Sequence, residues 1–182
     1  GYGGWALGRM FTNRPGFGLD SPLGNGVVGL PYLINASGSI LVVQGQSVYC
    51  FDRYGDGFAD RFDTKTTLTW GGAGANDYYH WTDGSGNVWT FTGYEAATAD
   101  NSASVRKAGV LSDFSPAGNG YGTQVTRDSD GRVALIHRGP AEPGQGEDYR
   151  YEYYTTGQLN GLVKAVTLLR GNRRLQRVEY EY

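Results

Sequence analysis

The sequence predicts an all-β protein built from consecutive antiparallel hairpins, and three observations support that class. First, the 182 residues include 30 glycines and 14 tyrosines; glycine is unfavourable inside helices, whereas aromatic residues favour strands. Second, short β-type runs recur at the close spacing that is typical of all-β folds. Third, several of these runs alternate apolar with polar side chains, which is the pattern of a strand with one buried face.

Ten runs of the sequence qualify as strands. Within Tyr149–Tyr154, the tyrosines at alternate positions share one face, while Arg150 and Glu152 take the other. Such alternation predicts half-buried antiparallel strands. The predicted strands are Ile40–Val43, Val48–Phe51, Thr66–Trp70, Tyr78–Thr82, Val88–Thr92, Tyr121–Thr126, Val133–His137, Tyr149–Tyr154, Leu162–Leu169 and Leu175–Tyr182.

The first 31 residues differ in composition from the rest of the chain. They contain nine glycines and three prolines among short apolar pairs, with no run of helical or strand period. We therefore predict an extended Gly/Pro-rich arm over residues 1–31 and a β domain over residues 32–182. The segments predicted as loops are Gly71–Asp77, Ala96–Ser104, Ser115–Gly122 and Gly139–Asp148.

Charge and hydropathy argue against several kinds of partner. A net charge of −2 at pH 7 gives no electrostatic reason to expect nucleic acid or an anionic membrane. The longest largely apolar runs, such as Leu162–Leu169, are far shorter than the ~20 residues that cross a bilayer. The single cysteine, Cys50, cannot form an internal disulfide. We predict no nucleic-acid partner and no membrane span.

A short turn unit recurs five times along the chain. Each copy begins with a polar residue or tyrosine and has glycine three residues later; four copies continue with apolar residues five and eight positions after the start. The pattern predicts a hairpin whose first side chain caps the turn and whose glycine supplies a positive φ. The units begin at Asn35, Asp52, Asp83, Asp128 and Tyr154, and their repeat-turn glycines are Gly38, Gly55, Gly86, Gly131 and Gly157.

Two of these units resemble those of a known family. Tyr153-Tyr-Thr-Thr-Gly-Gln-Leu159 and Asp128-Ser-Asp-Gly-Arg-Val133 resemble the Tyr-Asp-x-x-Gly-Arg-Leu unit of YD-repeat, or Rhs, proteins. The resemblance covers residues 35–182, so residues 32–182 are expected to form a YD-repeat-like β domain. It implies a long antiparallel sheet, of the kind that spirals into shells or tubes around a cargo such as a toxin, and an extracellular or exported location.

The last residues of the chain carry a functional expectation. Arg177–Tyr182 repeats the alternation of Tyr149–Tyr154, which directly precedes a turn, so we expect an open strand edge after it. An open edge templates association. We expect a non-enzymatic, extracellular structural protein that joins copies of itself head to tail into a filament or surface layer. A fragment of a larger YD-repeat shell or toxin-delivery protein, continued by further repeats, and a carbohydrate-binding or carbohydrate-cleaving β-domain are the alternatives.

Four aspartates form the candidate metal site of the sequence. Asp52, Asp56, Asp60 and Asp63 occupy positions 1, 5, 9 and 12 of a loop with Gly57 at position 6, which partly matches a calcium loop. The tyrosine at position 3 and the aspartate at position 12 depart from that pattern. A Ca²⁺ site and a solvated polar turn both fit these residues, and either role is structural. No other cofactor is predicted.

The remaining chemistry-bearing residues favour structural roles. Cys50, His80 and His137 show no spacing that supports a nucleophile or a zinc site. The clustered arginines are interpreted as a polar turn and an outward strand face. They are Arg170, Arg173, Arg174 and Arg177.

An aromatic cluster keeps the carbohydrate alternative open. Aromatic rings form sugar-stacking platforms, but at alternating strand positions they more often pack against rings on the neighbouring strand. The residues concerned are Trp70, Tyr78, Tyr79, Trp81 and Trp89.

Overall fold

The protein is all-β, as the sequence predicts. The computed structural model describes residues 30–45, 47–94, 108–118, 121–140 and 145–182. Within these ranges it contains thirteen strands, two short 3₁₀ turns and no α-helix. Nothing in the described ranges forms a helix of the length and hydropathy that a membrane crossing needs. Residues 1–29 of the predicted arm and the predicted loop Ala96–Ser104 lie outside the described residues.

The strands form two antiparallel sheets in which each strand pairs with its neighbours in sequence. The smaller sheet has the order β1-β2-β3-β4, and the larger runs from β5 to β13 in unbroken chain order. The strands are β1 (Tyr32–Ala36), β2 (Ser39–Gln44), β3 (Ser47–Tyr54), β4 (Gly57–Asp60), β5 (Thr67–Gly71), β6 (Tyr78–Thr82), β7 (Val88–Thr92), β8 (Leu111–Ser115), β9 (Gly122–Arg127), β10 (Val133–Gly139), β11 (Glu147–Tyr153), β12 (Val163–Arg170) and β13 (Arg173–Glu179).

The alternating patterns of the sequence place side chains on the two faces of these strands. In β11, Tyr149 and Tyr151 are buried, whereas Arg150 and Glu152 are exposed. The register pairs Tyr149 with Ile136 on β10, and both side chains are fully buried. The apolar face of the large sheet is therefore continuous across neighbouring strands, as cross-strand pairing requires.

The small sheet packs against the part of the large sheet that contains β5–β8. The ring of Tyr49 on β3 lies 4.8 Å from that of Trp81 on β6, centroid to centroid. At the edge of this contact, the N–H of Leu33 donates to the carbonyl of Gly109 at 2.7 Å. One hydrophobic core thus includes buried residues from both sheets.

Three strands were not among the ten that the sequence predicts: β1, β4 and β8. β4 has only four residues, beginning with Gly57, and β8 is the mixed run Leu-Ser-Asp-Phe-Ser. Neither β4 nor β8 shows a clear alternation of apolar and polar residues. They are held by pairing, β4 against β3 and β8 between β7 and β9.

Candidate functional site

The five predicted repeat-turn glycines all lie in connections between consecutive strands, and all have positive φ. Gly131, for example, has φ of 78° and donates its N–H to the carbonyl of Asp128 at 3.1 Å. Glycine adopts this left-handed conformation without the steric penalty of a Cβ. The connections are β1–β2 for Gly38, β3–β4 for Gly55, β6–β7 for Gly86, β9–β10 for Gly131 and β11–β12 for Gly157.

Two of the repeat turns share one capping geometry, in which the first aspartate binds the backbone of its own turn. Asp128 Oδ1 accepts hydrogen bonds from the N–H groups of Asp130 and Arg132 at 3.0 and 2.9 Å. Asp83 accepts equivalently from the N–H of Asn87 at 3.0 Å. Burial alone would raise the pKa of Asp83, but the hydrogen bonds from Asn87 and the turn backbone lower this pKa overall.

Removing the Asp128 cap should destabilise the β9–β10 hairpin. We expect Asp128→Ala to lower the free energy of unfolding by about 1–3 kcal/mol, because it leaves two turn N–H groups without their acceptor. Asp128→Asn keeps an acceptor oxygen and should cost less. Asp56→Ala, in the β3–β4 turn, is the matched control, and urea denaturation measures all three. Equal losses for Asp128→Ala and Asp56→Ala would contradict the capping role.

In the predicted calcium loop, Asp52 and Asp60 accept hydrogen bonds from neighbouring protein groups. Asp52 accepts hydrogen bonds from Ser39 at 2.7 Å and from the Arg61 guanidinium. The Arg61 hydrogen bond, followed by that of Ser39, lowers the pKa of Asp52 to about 2. Asp60 instead caps its own turn, accepting from the N–H of Thr64 at 2.7 Å. Across the described ranges, no three His, Cys, Asp or Glu side chains are grouped to hold a metal ion.

Calcium should therefore have little effect on this fold. Millimolar Ca²⁺ is expected to leave the Tm within experimental error of its value in chelator, because a ligand stabilises only in proportion to its occupancy. Magnesium is the ionic-strength control. A Tm increase specific to calcium would instead support the predicted loop.

The aromatic cluster is divided between the core and the surface. Trp81, Trp89 and Tyr79 are buried. Trp81 and Trp89 stack across β6 and β7 with centroids 4.5 Å apart. Trp70 and Tyr78 are about two-fifths exposed, at 39% and 38%. Three of the five rings thus pack inside the protein and are not available as a sugar-stacking platform.

The histidines and the cysteine lie on separate strands. Cys50 is buried in β3 as a free thiol, and His80 lies on β6. On β10, His137 places Nδ1 2.7 Å from Asp148 Oδ1 and Nε2 2.9 Å from the Pro140 carbonyl. The hydrogen bond with Asp148 is the largest factor raising the pKa of His137.

Two of the clustered arginines, Arg170 and Arg177, pair with carboxylates. Arg177 on β13 contacts Glu152 on β11 at 2.5 Å and Glu179 at 2.8 Å. It also donates to the Thr167 hydroxyl of β12 at 3.0 Å. Its side chain therefore links β13 to both β12 and β11. The raised pKa of Arg177, due first to the Glu152 hydrogen bond, keeps this arginine charged.

One edge of the large sheet is formed by β13, and the other by β5. In the described part of the chain, β13 pairs with β12 and with no strand on its other side. The N–H of Tyr180, just after β13, donates to the Lys164 carbonyl at 3.0 Å. Because successive N–H groups of a strand point in opposite directions, the N–H of Glu179 faces away from β12. This edge can accept another strand.

A cleft of about 400 Å³ opens where β10, β11 and β12 meet their connecting loops, and the sequence did not indicate it. Its charged residues are Arg138, Glu147 and Arg170, which are direct cross-strand partners in the register. Arg170 Nη2 donates to Glu147 Oε1 at 2.7 Å. Arg138 and Arg170 directly follow two predicted strands, and Glu147 lies in a predicted loop, so only the strand register brings them together.

Comparisons of the chain with protein-family models, with curated proteins and with solved structures found no match. The fold and its turns define the chain as an antiparallel β-meander protein. The relation to YD-repeat proteins stays a prediction from the sequence of the turn units.

Proposed function

We propose that this chain is a non-enzymatic, extracellular structural protein of the YD-repeat type, which assembles by adding a strand to the β13 edge. The observation that carries the proposal is the unbroken antiparallel order from β5 to β13, ending on a strand that is paired on one side. Antiparallel meanders extend by simple addition of the next strand. The added strand in this proposal is the N-terminal arm of another copy, which produces a head-to-tail filament.

The charged side chains of β13 favour pairing with one particular strand over pairing with any exposed strand. Arg177 is held by Glu152 and Glu179, and Arg173 and Arg174 are exposed at the start of the strand. Charged side chains on an edge strand suppress indiscriminate pairing. The edge is therefore open to a strand that is supplied at high local concentration or with matching charge.

The experiment compares two substitutions at the same position. Glu179→Pro removes the outward N–H, and proline is tolerated on edge strands. Glu179→Ala loses the same side chain but keeps that N–H. Gel filtration with light scattering and negative-stain microscopy should show assembly for the native chain and for Glu179→Ala, and monomers for Glu179→Pro.

Deletion of residues 1–29 tests the donor. This deletion spares Leu30, which packs against the core. Assembly should be lost while the β-sheet circular-dichroism spectrum persists; assembly that survives the deletion would exclude donation by the arm. A native chain that is monomeric at high concentration would overturn self-assembly and favour the alternative of a segment within a larger YD-repeat shell.

A further inference from the structure

We propose that the small sheet binds a second copy of this chain through its outward face, the face turned away from the large sheet. Tyr49 on β3 packs on Trp81, so the alternation along this strand turns Val48 to the opposite side. The strand register places five apolar side chains next to one another on that side, and we call them the outward patch. They are Tyr32, Ile34, Leu41, Val43 and Val48.

The outward patch is in contact with solvent. Val48 is 55% exposed and Ile34 is 40% exposed. The other three side chains are partly exposed, and none of the five packs against the hydrophobic core within the described residues. Their inward neighbours on the same strands, Leu33 and Val42, are buried. Exposed apolar side chains that lie side by side are typical of a surface that associates with a partner.

The sequence of β2 is typical of a strand that is covered on both faces. Ile40–Val43 is an unbroken apolar run, whereas a strand with one solvated face alternates apolar with polar residues. Such alternation is present on β6 of the large sheet, where Trp81 is buried between the less buried His80 and Thr82. Both faces of β2 are therefore apolar, although the core of the described residues includes only its inward side chains. A second layer on the outward face would complete the burial.

The charges of the outward face favour a second copy over a charged partner. Within the described strands and turns of the small sheet, this face carries one ion pair, between Arg61 and Asp52. Asp52 pairs with Ser39 in the register, at the end of the face opposite Val43. The two charges balance, so they leave no excess of either sign to attract a nucleic acid or a charged peptide. In a two-fold contact an uncharged apolar patch meets itself, and no like charges are brought together.

The size of the face predicts a weak dimer. Four strands about 4.8 Å apart and about five residues long form a face of roughly 19 by 17 Å, and stacking two such faces buries on the order of 1,000 Å² in total. This area is close to the lower limit of specific interfaces and is typical of transient ones. We therefore expect a dimer whose population depends strongly on protein concentration.

Sedimentation velocity of the full chain with Glu179→Pro tests this interface. The proline removes the N–H needed for strand addition at β13, so the result does not depend on whether that edge assembles. Between roughly 10 μM and 1 mM, the weight-average sedimentation coefficient should rise towards that of a dimer, because these concentrations span the range of weak dissociation constants. A chain that stays monomeric throughout this range would overturn the proposal.

Three variants in the same background assign the dimer to the outward patch. Val48→Lys should abolish it, because the two-fold contact would bring lysines into an apolar interface. Thr69→Lys adds the same charge on the outer side of β5, where Thr69 is exposed, and is the matched control. Val48→Thr keeps the branched shape and should weaken the dimer by about tenfold, because each copy would bury an added hydroxyl. It decides the question if Val48→Lys loses the native circular-dichroism spectrum.

Two results would assign the face to another role. Equal weakening by Val48→Lys and Thr69→Lys, with native circular dichroism in both, would mean that added charge alone disfavours association. A dimer that forms only after deletion of residues 1–29 would mean that the arm of the same chain covers the outward face. Either result overturns pairing through this face in the full chain.

Discussion

Replacing Trp81 with alanine is expected to lower the free energy of unfolding by about 3–5 kcal/mol, the usual cost of removing a large buried aromatic side chain. Trp81 is fully buried at 0% exposure. Its ring contacts that of Tyr49 on the small sheet and that of Trp89 on β7. Its loss therefore opens a cavity at the point where the two sheets meet. Urea denaturation measures the change.

A second variant separates the contribution of Trp81 packing to stability from that of its indole N–H. Trp81 Nε1 is buried without an acceptor in the described part of the chain. A buried donor that makes no hydrogen bond costs stability, so Trp81→Phe should lose far less than Trp81→Ala. Tyr54→Ala, at a side chain that is 79% exposed, is the surface control and should stay within ~0.5 kcal/mol of the native chain. Equal losses in Trp81→Ala and Tyr54→Ala would contradict this description of the core.

The turns were predictable because their chemistry is local. Asp83 and Asp128 each lie three residues before a glycine, and each caps the backbone of its own turn within four residues. The alternation around Tyr149 is equally local, since it needs only the period of one strand. Such features can be predicted from a short stretch of sequence, because they do not depend on contacts with distant residues.

The packing of the sheets and the cleft depends on contacts between distant residues. No pattern within β3 or β6 indicates that Tyr49 packs on Trp81, and none within β11 or β12 indicates that Glu147 pairs with Arg170. Both contacts follow from register and sheet stacking, which the sum of many cross-strand pairs determines. The candidate calcium loop shows the reverse case: the spacing of its aspartates partly matches a calcium loop, but Arg61, in the turn directly after β4, binds Asp52.

Gly93→Ala should strongly destabilise the protein, because the added Cβ would overlap a buried carboxylate. Gly93 follows β7, and its N–H donates to the Asp77 carbonyl at 2.7 Å. A Cβ at this position would lie 2.0 Å from Asp77 Cγ. Asp77 is 2% exposed and accepts a hydrogen bond from Trp70 Nε1 at 2.5 Å. The methyl group must therefore displace a carboxylate that is fixed by the indole.

We expect Gly93→Ala to cost about 2–4 kcal/mol, combining overpacking with the disturbed hydrogen bond of a buried acid. Gly84→Ala is the matched control, since a Cβ there meets its nearest atom, the Lys65 carbonyl oxygen, at 3.6 Å. A double-mutant cycle with Asp77→Ala isolates the clash: removing the carboxylate should recover about 1–3 kcal/mol of the Gly93→Ala loss. If the two substitutions are additive, the carboxylate is not what excludes a side chain at residue 93, and the cost comes from the backbone alone.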